Sequence, residues 1–365
     1  MASTTQQTGI FQQPVKANRM NDLKDYTLAE LTDALEHLGL KSYRAEQLFG
    51  WLHQKQATAF EHMTNLPASV RKQLSAEFII SSFSPCRIAR SRDGSRKYVF
   101  ETSDGYGIES VVIPEQRHLT LCISTQIGCA MGCRFCCTGK GGLVRNLRPG
   151  EIVNQVLAVL REENPGDRLP NIVYMGMGEP LANYDALVTS IRILQAPDGL
   201  NYSHRKITVS TCGLAPRIIE LGRDTQVNLA ISLNAPDDKL RSELMPINKT
   251  YPLASLLEAA RNFPLPPRKR ITVEYILMRD VNDSDRHARI LAELLTGIRC
   301  KINLIPFNEH PQAEFRTPDE KQLLNFEKIL YAHNYTVTIR RSKGADIAAA
   351  CGQLGRLATR APRQD

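Results

Sequence analysis

Cys129-Ala-Met-Gly-Cys133-Arg-Phe-Cys136 is the stretch from which this 365-residue chain is best read. The spacing is CxxxCxxC. Three thiolates can bind three irons of a cubane [4Fe-4S] cluster and leave the fourth iron open, whereas a closed electron-transfer cluster takes four cysteines. An open iron can chelate the amino and carboxylate groups of S-adenosylmethionine (SAM) and pass it an electron. A zinc site would want a second CxxC knuckle, which is missing. A ferredoxin would show a fourth ligand at set spacing in a shorter chain. Cys137 adjoins the third cysteine and reads as a bystander, because neighbouring residues rarely ligate one cluster.

On both sides of this loop, apolar runs alternate with helical periodicity. Strands are expected at 119–123, 172–174, 206–209, 228–232, 271–276 and 301–305, with a last one at 336–340. Helices are expected between them, for example at 151–161 after Pro149 and at 253–261. Strands separated by helices argue for parallel βαβ units. Six such repeats are too few to close an eight-stranded barrel, so a partial (βα)6 barrel of TIM type is expected. In such barrels chemistry sits on loops at the C-terminal ends of the strands. The cysteine loop follows the first barrel strand. Gly176-Met-Gly-Glu-Pro180 follows the second, Ser210 ends the third, Ser232-Leu-Asn234 ends the fourth, and Asn308 follows the sixth. A glycine-rich turn admits close backbone approach to a ligand, and Glu179 could accept from the SAM ammonium.

Upstream, Thr27 and Glu30 form a capping box for a helix carrying Leu28, Leu31, Leu35 and Leu38, with Gly39 as its stop. Ser42 is expected to cap a second helix, and Pro67 sits near the start of a third. Residues 87–89 and 97–101 flank Asp93-Gly94, a hairpin signal, and a third strand should end at Ile113-Pro114. The chain therefore divides into a disordered tail (1–22), a helical accessory domain (23–80), a β-hairpin extension (81–117), the partial barrel (118–350) and a C-terminal segment (351–365).

Hydrophobic residues make up 42% and charged residues 23%, as in globular proteins, and no stretch approaches the roughly 18 unbroken apolar residues of a membrane span. The first twenty residues lack an apolar h-region. Nine cysteines, four of them between 129 and 137, do not make a secreted disulfide scaffold. A cytoplasmic protein, monomeric and not bound to membrane, is expected. The net charge of +8 suits an anionic partner. Arg134, Lys140, Arg145 and Arg148 surround the cysteine loop and could hold phosphates, or simply form a solvated basic face.

The chain resembles the RlmN/Cfr family of radical SAM adenine methyltransferases over nearly its whole length. The resemblance rests on Ser42-Tyr-Arg-Ala-Glu-Gln47, Glu109-Ser-Val-Val-Ile-Pro114, Thr120-Leu-Cys-Ile-Ser-Thr-Gln-Ile-Gly-Cys129 and Gly176-Met-Gly-Glu-Pro180. It continues through Met245-Pro-Ile-Asn248, Asn303-Leu-Ile-Pro306 and Asp346-Ile-Ala-Ala-Ala-Cys-Gly-Gln-Leu354. Phe135 matches the aromatic that radical SAM loops often carry before the third cysteine. Glu179-Pro180-Leu181 resembles the RlmN branch, since Cfr tends to have alanine in place of Pro180. Asn234 departs from the histidine common at its position.

The resemblance implies methylation of adenine carbon 2 in 23S rRNA and in a subset of tRNAs. Two SAM molecules serve each turnover: one methylates a cysteine, the other yields a 5′-deoxyadenosyl radical that activates that methyl group. It implies Cys351 as the methyl carrier, Cys122 as the cysteine that resolves the protein–RNA adduct, and Glu109 as proton acceptor. It implies Cys129, Cys133 and Cys136 as cluster ligands. Gly178, Glu179, Ser210, Ser232, Leu233 (through its backbone), Asn234 and Asn308 become SAM contacts. An electron donor such as a flavodoxin or ferredoxin is implied as a partner. By residues alone, Cys351 would pass for a small buried thiol, Cys122 for part of an apolar strand and Glu109 for a solvated strand glutamate. Cys86, Cys212 and Cys300 read as structural. The alternative within the family is Cfr-type methylation at carbon 8.

Overall fold

A computed structural model describes residues 20–355 apart from 165, 167, 311 and 312. The expected tail falls outside the described residues up to residue 19, and the basic end of the C-terminal segment does so from residue 356. Ten strands form one open sheet: β1 (Pro85–Arg90), β2 (Arg96–Glu101), β3 (Gly107–Pro114), β4 (Leu119–Cys122), β5 (Asn171–Tyr174), β6 (Ile207–Thr211), β7 (Asn228–Ser232), β8 (Ile271–Leu277), β9 (Cys300–Pro306) and β10 (Val337–Ile339). Their order in space is their order in sequence. Strands β4 to β10 pair in parallel, and β1 to β4 pair antiparallel.

The parallel strands read as apolar runs because helices cover one face and the barrel interior the other. Ile172, Ile207, Val209, Ile271, Ile302 and Leu304 are fully buried, each stabilising the fold by about 1.5–3 kcal/mol. The expected partial barrel is what forms, with the seventh parallel strand short. Gly94 (φ +86°) makes the β1–β2 turn, and the Ser95 amide donates to Asp93 Oδ1 at 2.9 Å.

The helical unit consists of α1 (Leu28–His37), α2 (Tyr43–His53) and α3 (Ala68–Glu77). The capping box of α1 is present: the Glu30 amide donates to Thr27 Oγ1 at 3.3 Å and the Thr27 amide to Glu30 Oε2 at 2.8 Å. Ser42 does not cap α2; its backbone is already helical and its hydroxyl makes no capping bond, because the turn begins at Lys41, whose carbonyl accepts from the Arg44 amide at 2.9 Å. Asn21 and Asp22, inside the segment read as tail, pair in parallel with Phe78 and Ile79 and so close the unit at its base.

Helix α4 (Pro149–Glu163) is buried on nearly every side, from Gly150 to Leu160. One side packs on the sheet and the other meets the helical unit. There Lys24 Nζ donates to Asn154 Oδ1 at 2.9 Å, and Asp25 accepts from the Gly150 amide at 2.8 Å and from Arg148 Nη1 at 2.7 Å. A carboxylate at a helix N-terminus satisfies an orphan amide and the positive end of the helix dipole together.

Candidate active site

The chain leaves β4 through Ser124. Its amide donates to Gln155 Oε1 (2.9 Å), and its hydroxyl donates to the Glu109 carbonyl (2.6 Å) while accepting from the Met177 amide (2.9 Å). A two-stranded ribbon, Gln126–Gly128 against Leu143–Asn146, then pinches off the cysteine loop. Gly128 closes the pinch at φ +75°, where an added Cβ would stand 1.9 Å from the Gly142 carbonyl oxygen. Only glycine fits. Inside the loop Phe135 is buried against Leu244, Met245 and Phe307, with Cys133 and Cys136 packed beside it.

Cys129, Cys133 and Cys136 are half-buried. Burial first, and the other thiols of the loop and Glu179 next, push Cys129 up to about 12 and Cys133 well above the ordinary thiol range. The smaller contributions from neighbouring thiols and Glu179 place these groups in one neighbourhood. Among the described residues no three His, Cys, Asp or Glu side chains converge as ligands of a single metal ion. A cubane presents its irons at separate corners, so its thiolates need not meet at a point. Thiols that resist ionisation alone give up their protons to a metal centre, so this donor set fits a cluster.

Glu179 follows β5 and is buried. Gly178 before it has φ +99°, and a Cβ there would lie 2.5 Å from Gln126 Cβ. The Glu179 carboxylate accepts from the amides of Leu181 (3.1 Å) and Cys212 (2.9 Å) and has no ion pair among the described residues. Burial pushes it above the usual carboxylate range. A buried carboxylate without a cation suits an ammonium ligand.

Ser210 and Ser232 stand half-buried at the ends of β6 and β7, beside the same strand ends. The Leu233 amide is bonded to the Glu274 carbonyl at 3.0 Å. Asn234 is fully buried at φ +60°, which asparagine tolerates. Its Oδ1 accepts from the Ile276 amide (2.8 Å) and its amide group lies against Met245 Sδ (3.3 Å), so its side chain is engaged within the protein. Asn308 gives its amide to Ser342 Oγ (2.9 Å) and to the Cys351 carbonyl (3.0 Å), tying the C-terminal segment to the end of β9.

That segment crosses the cysteine loop. The Cys137 amide donates to the Gly352 carbonyl (2.8 Å) and Thr138 Oγ1 to the Leu354 carbonyl (2.8 Å). As a result Cys122, Cys136 and Cys351, remote in sequence, line one cavity of about 110 Å³ with Met175 and Arg340. Cys351 is exposed to it; Cys122 is buried in its wall. Burial and then the Cys351 thiol push Cys122 up to about 12. Cys351 is also raised, by desolvation first, with Arg340 opposing. Both are free thiols.

Glu109 is brought near but not into this cavity. It is buried rather than solvated, with Lys97 Nζ at 3.2 Å from Oε1 and the Gly355 amide donating to Oε2 at 2.7 Å. Gly355 therefore lies over it. Two of the four basic residues around the cysteine loop are also committed. Arg145 forks onto Asp104 (2.7 and 2.8 Å) and Glu151 (2.8 Å to each oxygen). Arg148 pairs with Asp25. These two are structural ion pairs, formed with acids 41 and 123 residues distant that the local pattern does not reveal. Arg134 meets Glu314 at 2.5 Å on the surface, and Lys140 is exposed.

Residues 21–80 match the family model of the ribosomal RNA large subunit methyltransferase N-terminal domain, and residues 123–291 match that of the radical SAM superfamily. The chain is 54% identical over 334 residues to the dual-specificity RNA methyltransferase RlmN of Desulfosudis oleivorans, covering 91% of this chain and 90% of that protein. It is 51% identical to the RlmN of Geobacter sulfurreducens, covering 92% of each. The crystal structure of a radical SAM methyltransferase from Sphaerobacter thermophilus superposes with a TM-score of 0.86 at 45% identity, over 91% of this chain and 98% of that one.

Proposed function

Because this chain belongs to the RlmN family of dual-specificity RNA methyltransferases, we propose that it methylates carbon 2 of adenine in 23S rRNA and in a subset of tRNAs. The bound [4Fe-4S] cluster and SAM supply the methyl group and the radical that activates it. The observation that carries the reading is the single cavity shared by Cys122, Cys136 and Cys351. Carbon 2 of adenine is electron-poor and does not attack a sulfonium methyl, so the methyl group must first be parked on a nucleophile beside the radical source. Cys351 is that nucleophile, a thiol open to the cavity at the edge of the cluster loop. Cys122 lines the same cavity: its sulfur attacks the Cys351 sulfur of the protein–RNA adduct, the Cys351 S–C bond breaks with its electron pair passing to the base, and a Cys122–Cys351 disulfide remains as the RNA leaves.

Cys129, Cys133 and Cys136 hold the cluster. Glu179 takes the SAM ammonium, with Gly178, Ser210, Ser232 and the Leu233 backbone around it. Asn234 and Asn308 complete the SAM contacts; Asn308 also fixes the Cys351 carbonyl, and Asn234 sets the corner after β7. Glu109, held by Lys97 and the Gly355 amide, is the proton acceptor. The unit over residues 23–80 holds RNA, since its family model is named for a ribosomal RNA methyltransferase. The electron comes from a donor such as a flavodoxin or ferredoxin, in a reducing, cytoplasmic setting. No helix of the described residues is long and apolar enough to cross a membrane.

Anaerobic reconstitution with SAM, a reductant and an rRNA fragment tests this, with the modified base read by mass spectrometry. 2-Methyladenosine is expected, and 8-methyladenosine in its place would assign the chain to the Cfr branch instead. Pro180, which opens the turn after Glu179, favours the first outcome.

A further inference from the structure

Among the described residues Arg241 is the largest side chain that the fold buries completely. It extends from the helix Asp238–Leu244 toward the C-terminal ends of β6 and β7. Nε donates to the Leu233 carbonyl (3.1 Å), Nη1 to Asn248 Oδ1 (2.8 Å), and Nη2 to the carbonyls of Cys212 (2.7 Å) and Ser232 (3.3 Å). All four acceptors are neutral. Among the described residues no carboxylate forms an ion pair with the guanidinium. A cation removed from water without an anion is costly, and such groups persist where a countercharge is supplied.

The cysteine loop packs on the same segment. The Arg134 amide donates to the Leu244 carbonyl at 3.0 Å, and Cys133 and Phe135 share an apolar cluster with Leu244 and Met245. Burial lowers the guanidinium from its ordinary value, and Cys212, then Cys133 and Asp238, lie close enough to oppose that.

We propose that Arg241 is the built-in countercharge of the iron–sulfur cluster, placed to stabilise its thiolate-bound form and to make its one-electron reduction less unfavourable. The inference rests on the ligand reading given above for Cys129, Cys133 and Cys136. Reduction adds one electron, taken from a low-potential one-electron donor, and so one negative charge to the cluster. A fixed cation nearby favours that product. Net charge and the surrounding hydrogen bonds are the levers that set such potentials.

The test is a dithionite titration of the anaerobically reconstituted full chain, followed by electron paramagnetic resonance, without SAM or RNA. Arg241→Lys keeps the charge and loses the fork, so its midpoint should match wild type. Arg241→Gln should titrate at least tenfold harder, a shift of about 59 mV toward more negative potential for a one-electron couple. Asn248→Asp sets a carboxylate where Nη1 now meets an amide oxygen, at the cost of the bonds the Asn248 amide gives to Asp238, and should shift the midpoint in the same direction. The proposal is overturned if Arg241→Gln holds a cubane at the wild-type midpoint. It is equally overturned if Arg241→Lys shifts as far as Arg241→Gln, or, should Arg241→Gln not fold, if Asn248→Asp leaves the midpoint in place. A Cys133→Ala protein that assembled the wild-type cluster would strike the ligand reading instead.

Discussion

Replacing His53 with leucine should remove a pH dependence from the joint between the helical unit and the barrel. His53 is buried at the end of α2, its ring against Phe49 with centroids 4.3 Å apart. Neither ring nitrogen has a hydrogen-bond partner among the described residues. Burial, and then the charge of buried Lys24, lower it from 6.5 to about 3. The folded protein therefore keeps His53 neutral down to about pH 3, while the unfolded chain protonates it below 6.5. Its contribution is fully present above pH 6.5 and is lost as pH falls toward 3. From pH 7.5 to 5.0 the loss spans about 1.5 pH units, or about 2 kcal/mol.

Asp25, in the same joint, is pushed up to about 6, mainly by burial. Its sign is opposite: the folded state binds its proton more readily, so its term gains stability as pH falls through 6 toward 3.8. The wild-type profile is thus a partial cancellation, and the difference between His53→Leu and wild type isolates one side of it. Trp51, the chain's single tryptophan, lies on α2 and reports unfolding of the unit by fluorescence. In urea titrations of the metal-free protein, His53→Leu should gain about 2 kcal/mol on wild type between pH 7.5 and 5.0. A difference that does not change with pH would refute the reasoning.

Four further outcomes are expected. Cys351→Ala should abolish RNA methylation in the reconstituted assay, and normal methylation by that variant would reject the methyl-carrier role. Cys122→Ala should accumulate a covalent protein–RNA adduct, visible as a retarded band on a denaturing gel, because Cys351 then has no partner for the releasing disulfide. Gly178→Ala combines a left-handed backbone with a contact of 2.5 Å; it should cost at least about 2 kcal/mol in thermal unfolding and weaken SAM retention in equilibrium dialysis. Arg145→Ala leaves Asp104 without its cation and largely buried Glu151 with only the longer Arg148 ion pair at 3.9 Å. It should cost about 2–3 kcal/mol, reduced from the fully buried case by partial exposure, while leaving the salt dependence of RNA binding unchanged.

The strands and the cysteine loop could be read from the sequence because each is written locally. Apolar runs of four to seven residues mark β4 to β9, and CxxxCxxC carries its own spacing. What escaped depends on partners far along the chain. Glu109 sits in a strand whose neighbours are unremarkable, and only the fold shows Lys97 against one of its oxygens and the Gly355 amide on the other. Arg145 and Arg148 looked like a phosphate-binding edge because Asp104 and Asp25 lie outside any local window. Asn234 was legible as a departure from pattern; the left-handed φ and the bond from Ile276 supply its reason. Arg241 gave no signal of its own on a short helix, and the nearest hint was the run Met245-Pro-Ile-Asn248 beside it. The Cys122–Cys351 juxtaposition came from family resemblance alone, since 229 residues of chain and the crossing of the last segment over the first loop separate pattern from contact.

The monotonic strand order has a consequence for how the protein is made. Every strand joins the sheet beside the one synthesised just before it, so the sheet can grow from one edge as the ribosome delivers the chain, with no element waiting for a gap to be filled later. Of the nine cysteines Cys351 is the last to be synthesised. A nascent chain can thus finish the loop proposed to hold the cluster more than 200 residues before it carries the thiol proposed to receive the methyl group, so the two halves of the chemistry come together only after the intervening strands have been laid down.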